Sequence, residues 1–287
     1  MGTERFALRQ RRFFVRITSQ VAALTAQKFL SQNQKKLELT MQQLASGSRF
    51  VQSSVDPAGQ AISENLNSQA RGFEAATMNA ENASSLIQQA EGALNEQNNI
   101  LIRLRELSVQ SASDTFSEVE RGFINNEFVQ LTQELNRIAK TTKFGSQNLL
   151  DGTEKKYEFH VGIGSKSDNI ITYQQDINTT ASELGLDGLS IDDQDAARDS
   201  LDTIDKAIED IGAARAKLGA VQSRLDHVIS HNEGQRENLI SAYSKIADTD
   251  VAKAVSDMKR AQVMQQYQIA MLSVANENDS LGLKLIA

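Results

Sequence analysis

Apolar residues repeat with heptad spacing in three separate stretches of this 287-residue chain. An amphipathic helix is stable in water only when its apolar stripe is buried, so three such stretches must pack together or against other helices. The sequence therefore predicts a mainly α fold, an elongated antiparallel helical bundle or coiled coil. The three heptad stripes are Ile124, Phe128, Leu131, Leu135, Ile138; Ile87, Ala90, Leu94, Leu101, Leu104, with Gln97 in phase; and Leu201, Ile204, Ile208, Ile211, Leu218, Leu225, interrupted by Arg215 and Gln222.

The two ends of the chain carry weaker versions of the same pattern. Many of the in-phase positions there are Gln, Asn or Ala, so each end has little apolar surface to bury. We expect each end to be marginal alone and to need the other end or a neighbouring subunit. The in-phase apolar residues are Ile17, Val21, Leu24, Leu30, Leu37, Met41, Leu44 near the N-terminus, and Val251, Val255, Met258, Ile269, Leu272, Leu283 near the C-terminus.

Between the heptad stripe that ends at Ile138 and the one that begins at Leu201, the pattern changes to that of strands. The segments KYEFHVG and NIITYQQDI carry alternating, β-branched or aromatic residues, and IGSKSD between them supplies turn residues. This predicts a β-hairpin near residues 156–177. Ser190 or Asp192 is the predicted cap of the helix that follows.

A short non-helical connection is predicted at residues 47–57, which hold the chain's single proline. Gly47 suits the left-handed residue that follows a helix, and Pro57 suits the first turn of the next helix with Asp56 as its cap. We therefore expect one helix to end at residue 46 and the next to begin at Pro57.

Composition excludes several classes of function. The chain has no cysteine, so disulfides, thiolate zinc sites and cysteine nucleophiles are excluded. Its net charge of −7 argues against a nucleic-acid binder, and no apolar run is long enough for membrane insertion or a Sec signal.

No enzyme motif is visible in the sequence. His227 and His231 are four residues apart, but we interpret them as solvated side chains on a helix and not as metal ligands, and His160 lies in the predicted hairpin. GIGSKS lacks the ending of a phosphate-binding loop. We predict no catalytic residue, no metal and no cofactor.

Several segments resemble bacterial flagellins closely. They are RITSQVAALTAQKFL, LASGSRFVQSSVDPAGQAISENLNSQARGFEAATMNAENASSLIQQAEGALNEQNNILIRLRELSVQSA, TKFGSQNLLDG, FHVGIGSKSDNIITY and ENLISAYSKIADTDVAKAVSDMKRAQVMQQYQIAMLSVANENDSLGLKLIA. Only the first fourteen residues and roughly residues 180–200 lie outside the resemblance. The resemblance implies an outer core domain from residues 58–235 and an inner core domain whose N-terminal helix spans residues 15–46. Residues 236–287 then form the return spoke and the C-terminal helix of the inner core domain. The resemblance implies a minimal, core-only flagellin.

The connection at residues 47–57 resembles the spoke of that family. Its expected spoke residues are Gly47, Arg49, Asp56, Pro57 and Gly59. Most flagellins have Ala where this chain has Pro57, a departure that a helix start tolerates.

The resemblance implies a structural subunit that self-assembles into the helical flagellar filament used for motility. It also implies an extracellular location, export by the flagellar type III route without a Sec signal, and an export apparatus, an export chaperone, cap proteins and junction proteins as partners. A hook–filament junction protein and a generic coiled-coil scaffold are the alternatives.

Two sets of residues are expected to mediate assembly. Arg103, Leu107 and Glu127 fall where some flagellins are recognised by host Toll-like receptors, and we expect this surface, with an exposed Leu107, to serve filament packing as well. The expected terminal assembly seam is Val21, Leu24, Leu30, Leu37, Met41, Leu44, Val255, Met258, Ile269, Leu272 and Leu283.

The first fourteen residues lie outside the resemblance. They carry four arginines against Glu4, a net charge of +3. One hypothesis is that translation begins at Val15 through an alternative start codon. The other is that residues 1–14 are a genuine basic extension, disordered in the filament channel or used in export.

Overall fold

The computed structural model describes the backbone of residues 2–153, 156–174 and 176–284, and the side chains of residues 21, 23–153, 156–174, 176–277. Long α-helices dominate, as predicted from the heptad stripes. The helices are α1 (Gly2–Ser46), α2 (Pro57–Ser111), α3 (Glu118–Thr141), α4 (Gln194–Ala247) and α5 (Val251–Lys284). The strands are β1 (Lys143–Phe144), β2 (Gln147–Asn148), β3 (Lys156–His160) and β4 (Ile170–Gln174), and a 3₁₀ turn spans Ser167–Asn169.

The chain divides into two compact units. The terminal unit comprises Met1–Asn67 and Ile240–Ala287, and the central unit comprises Ser68–Leu239. The predicted boundaries were ten and four residues away, at 57/58 and 235/236. They differ because α2 and α4 continue as uninterrupted helices through the predicted positions.

Apolar side chains from α2, α3 and α4 form the core of the central unit. The three predicted heptad stripes are confirmed: their principal members are buried, and Ile124, Leu131 and Ile208 pack against the same core. Gln97 is also buried in its in-phase position, where its Nε2 donates to the Leu135 carbonyl at 3.1 Å. The fully buried members are Ile87, Leu94, Leu101, Leu104, Phe128, Leu135, Ile204, Ile211, Leu218 and Leu225.

The predicted hairpin is confirmed as the antiparallel pair β3 and β4. Tyr157 faces Tyr173 across the pair, with ring centroids 6.2 Å apart, and both rings are buried in the central core. Sequence analysis missed a second pair, β1 and β2, which has two residues in each strand and turns through Gly145 at a φ of 61°. Strands of two residues are too short to show an alternating pattern.

Helix α4 begins later than the sequence predicted. The carbonyl of Asp193 accepts the first helical hydrogen bond, from the Ala197 amide at 2.9 Å, so neither Ser190 nor Asp192 caps the helix. These two side chains hydrogen-bond each other instead. The chain is held in the loop because Ile191 is buried and its amide donates to Asn125 at 3.0 Å.

Helices α1 and α5 pair in the terminal unit. Helix α1 begins at Gly2 and not at residue 15, because no proline and no further glycine interrupts residues 3–46. Within the described residues, no helix combines the length and apolar character needed to cross a membrane.

The pairing face of α1 and α5 differs from the predicted seam. Leu30, Leu37, Leu44, Met258 and Leu272 are at least half-buried in that face, and the other described members of the seam are exposed: Val21, Leu24, Met41, Val255 and Ile269. The role of the seam in assembly stays a prediction. The side chain of Leu283 lies outside the described residues. Small or polar residues fill the remaining positions of the pairing face: Ala26, Asn33, Thr40, Ala254, Ala261, Gln265 and Gln268.

Candidate assembly surface

Backbone hydrogen bonds join the two connections of the terminal unit. Gly47 follows α1 with a φ of 71°, and its amide donates to the Gln43 carbonyl at 2.9 Å. The Arg49 amide then donates to the Ala247 carbonyl at 2.7 Å, and the Thr249 amide donates to the Gly47 carbonyl at 2.9 Å. These bonds hold the segment after α1 against the segment between α4 and α5.

Asp56 organises the start of α2. Its Oδ1 accepts from the Gly59 amide at 3.0 Å, and its Oδ2 pairs with Arg49 at 2.9 Å. A Cβ at Gly59 would lie 2.6 Å from Asp56 Oδ2 and 2.8 Å from Phe50, so any other residue there would require these side chains to shift. Pro57 is the first residue of α2, where a helix has no partner for an amide, so the missing N–H costs nothing.

Helix α5 is apolar on three sides. One side faces α1, and Asn33 Nδ2 donates to the Ala261 carbonyl across that contact at 2.8 Å. A second side, flank A, follows heptad steps and is exposed to solvent: Met264, Tyr267, Met271 and Val274. A third side, flank B, lies roughly opposite flank A at 100° per residue and is also exposed: Val251, Val255 and Ile269.

Such a helix is suited to burial in a larger assembly. A helix that is apolar all round normally lies inside a core, and contiguous exposed apolar surface marks an interaction site. Helix α1 adds four more exposed apolar side chains: Val21, Leu24, Phe29 and Met41. The terminal unit therefore presents more apolar surface than its own pairing face covers.

Arg103 and Glu127 lie together on the surface of the central unit, across α2 and α3. Arg103 Nε donates to Glu127 at 2.9 Å and its Nη1 donates to Glu106 at 3.0 Å. The hydrogen bond to Glu106, followed by that to Glu127, raises the pKa of the Arg103 guanidinium. This ion-paired surface is polar and exposed to solvent.

Leu107 does not belong to that surface. It is 1% exposed and packs in the central core, so the expectation of an exposed Leu107 was wrong. Helix α2 packs against α3 through Gln97 and against α4 through Ser108, whose Oγ accepts from Ser200 at 3.0 Å. Because α2 has two neighbouring helices, its buried stripe is wider than a single heptad seam.

The histidines do not converge. The side chains of His227 and His231 are exposed on α4, and His160 is exposed at the end of β3. Within the described residues, no group of three or more His, Cys, Asp or Glu side chains could hold a metal ion.

Comparison with known proteins accounts for most of the chain. Residues 17–155 match the bacterial flagellin N-terminal helical region, and residues 201–285 match the bacterial flagellin C-terminal helical region. A flagellin of Halalkalibacterium halodurans is 36% identical over 270 residues, covering 94% of this chain and 99% of that protein. A flagellar filament 33 kDa core protein of Treponema phagedenis is 35% identical over 287 residues, covering 94% and 99%.

A solved structure shares the fold. The putative flagellar hook-associated protein from Vibrio parahaemolyticus aligns with a TM-score of 0.57 at 14% identity, covering 68% of this chain and all of that one. At that identity the likeness shows the fold alone. The two family regions and the relatives that match almost end to end lead to one conclusion: this chain belongs to the bacterial flagellins.

Proposed function

We propose that this flagellin, a structural subunit of the extracellular flagellar filament, joins neighbouring copies mainly through flanks A and B of α5 and the exposed apolar residues of α1. The observation that carries the proposal is that α5 packs mainly Ala and Gln against α1, with Met258 and Leu272 half-buried, and exposes its other described large apolar side chains. Covering apolar surface contributes about 25 cal/mol per Å². The free subunit lacks this stabilisation because its apolar flanks are exposed to solvent.

The arrangement of the two flanks favours an open assembly. Tyr267 on flank A and Ile269 on flank B lie on roughly opposite sides of α5, so one neighbour cannot cover both. Contacts between different surfaces of identical copies continue from subunit to subunit unless the rotation closes a ring. A helical filament is the expected product, and a junction protein that caps a filament needs no such repeating contact.

The remaining partners follow from the family. We propose export of the unfolded chain by the flagellar type III route, with an export chaperone, cap proteins and junction proteins as partners. For the central unit we propose lateral packing through the Arg103 and Glu127 surface. Recognition by a host Toll-like receptor is a second candidate for that surface, because its charged side chains from two helices are exposed and held in place by ion pairs.

The test places one charge on each flank and compares polymerisation of the purified full chain. Tyr267→Glu and Val255→Glu should each raise the critical concentration for polymerisation at least about tenfold, equivalent to about 1.4 kcal/mol per subunit. Met78→Glu is the matched control, since Met78 is as exposed but lies in the central unit.

Sedimentation measures the assembled fraction and electron microscopy shows its form. Circular dichroism of the unassembled variants checks that the central unit remains folded. Filament formation by both flank variants at wild-type concentrations would exclude α5 as the main contact. A wild-type chain that forms no filaments under any nucleating condition would favour the junction protein.

A further inference from the structure

The sulfur-containing side chains of this protein are of one kind. The chain has six methionines, no cysteine and no tryptophan. Cysteine thiolates and methionine thioethers are the sulfur groups that peroxides oxidise, and exposure governs which of them react. The thioethers are therefore the sulfur groups that a peroxide meets in this chain.

The exposed methionines concentrate where copies are proposed to meet. Met264 and Met271 stand two helical turns apart on flank A, 48% and 66% exposed, and Met41 is exposed on α1. Met258 is half-buried on the pairing face of α1 and α5. Met78, 58% exposed, lies in the central unit and gives an internal comparison.

We propose that Met264 and Met271 form an oxidation-sensitive site that controls whether a free subunit can enter an assembly; this rests on the proposed function of flank A. The co-reactant is a peroxide. The thioether sulfur attacks one oxygen of hydrogen peroxide, and the S–O bond forms as the O–O bond breaks. The proton of the transferred hydroxyl passes to the departing hydroxide, which leaves as water. The sulfur is oxidised by two electrons, and the peroxide is reduced by two.

The product is unsuited to a buried apolar contact. A sulfoxide oxygen is a polar acceptor, and burying a polar group without a hydrogen bond is unfavourable. Its neighbours along flank A are Tyr267 and Val274, of which only the tyrosine hydroxyl could donate. An oxidised flank A therefore fits a neighbouring copy less well than the original.

Exposure makes the effect depend on the state of assembly. In a free subunit both methionine side chains are exposed, and in an assembly a neighbouring copy would cover them. A subunit is thus vulnerable before it is added and protected afterwards. Methionine sulfoxide reductases reverse the oxidation, so an oxidised subunit remains recoverable.

The first measurement compares free subunits with filaments. Both are exposed to dilute hydrogen peroxide, and peptide mass spectrometry follows oxidation of each methionine over time. We expect Met264 and Met271 to react at rates similar to Met78 in the free subunit, and about tenfold more slowly in filaments, because their exposure is lost there. Equal rates in both states would show that flank A stays open, which overturns the proposed function together with this inference.

The second measurement isolates the inference. Free subunits are oxidised, the peroxide is removed, and polymerisation is compared with an untreated sample of the same variant. Oxidation should raise the critical concentration of wild type and of Met78→Leu at least about tenfold, equivalent to about 1.4 kcal/mol. It should raise that of the double variant Met264→Leu, Met271→Leu much less, and sulfoxide reductase should restore the wild-type value.

Two results would overturn the inference and leave the proposed function standing. One is undiminished polymerisation of a wild type whose Met264 and Met271 are fully oxidised, although filaments protect them. The other is an equal loss in the double leucine variant, which would assign the effect to another methionine.

Discussion

The two units of this flagellin bury very different side chains. The central unit encloses large apolar residues such as Phe128, Leu101 and Ile211. Among the side chains that the structure describes, the buried residues of the terminal unit are small or polar: Thr40, Ser63, Ala247, Ala254 and Ala261. Large apolar residues are present in the terminal unit as well, but many of them face outward.

This difference shows how one chain can be stable as a subunit and still depend on its neighbours. Burial of a large apolar side chain contributes about 1.5–3 kcal/mol, and the central unit collects this contribution within a single copy. The terminal unit gains little until its flanks are covered. Changes to the terminal unit should therefore affect assembly, and changes to the central unit should affect folding.

The largest expected effect comes from removing the end of α5. Deleting residues 273–287 removes Val274 from flank A together with the last turns of the helix. Polymerisation should be abolished, because each lost apolar contact is worth about 1.5–3 kcal/mol and recurs in every subunit.

Sedimentation measures the assembled fraction of the truncated chain. Thermal unfolding of the unassembled protein serves as the control, and the transition of the central unit should be unchanged. Filaments formed by the truncated chain would contradict the assignment of assembly to the terminal unit and of folding to the central unit.

A smaller effect is expected inside the central unit, at Leu107. Leu107→Ala should destabilise the unassembled protein by about 2–5 kcal/mol, because a fully buried leucine leaves a cavity. Ile102→Ala, on the exposed side of the same helix, should change stability by less than about 0.5 kcal/mol. Urea denaturation compares the stabilities of the two variants. Equal denaturation midpoints would mean that Leu107 is exposed and not buried.

The smallest effect concerns alkaline pH. Burial, with smaller effects from Asp176 and Tyr157, raises the pKa of Tyr173 to about 12. The folded state thus favours the neutral phenol, whose stabilisation is complete below the unfolded pKa of 10 and is lost as pH rises towards 12.

Tyr173→Phe should reduce the loss of unfolding free energy between pH 10 and 12 by about 1–3 kcal/mol. In the wild type the unfolded tyrosine ionises in this range and so favours unfolding, whereas phenylalanine cannot ionise. Urea denaturation at a series of pH values measures it. Burial also raises the pKa of Tyr157, so the variant keeps the part of the pH dependence that Tyr157 causes. An unchanged alkaline slope would mean that Tyr173 ionises as easily in the folded protein as in the unfolded chain.

The sequence predicted the buried faces of the central unit well, because each helix there has one dominant apolar stripe. In α3, the stripe through Phe128 and Leu135 is the one that the fold buries. In α5 several apolar stripes compete, and the pattern does not reveal which of them meets α1. The fold selects Ala254 and Ala261, whose small side chains let the helices approach closely, and leaves Val255 and Ile269 outside.

The site residues show the same division. Arg103 and Glu127 are exposed and paired, in keeping with charged side chains on a solvated helix face. Leu107 could not be placed from spacing alone, because it flanks the heptad stripe and its burial depends on how many helices surround α2. A tertiary neighbour, and not the local pattern, decides such a position.

The pairing of α1 with α5 also sets the order in which the chain can fold. Asn33 and its partner Ala261 are 228 residues apart, whereas Arg236 and Glu74 meet within the central unit at 3.4 Å. Once the central unit has formed, the loop closed by the α1–α5 contact shrinks to about 65 residues, which lowers its closure entropy by about 1 kcal/mol. The helix at the beginning of the chain is therefore expected to be among the last to find its partner, and until then the pairing faces of α1 and α5 stay uncovered.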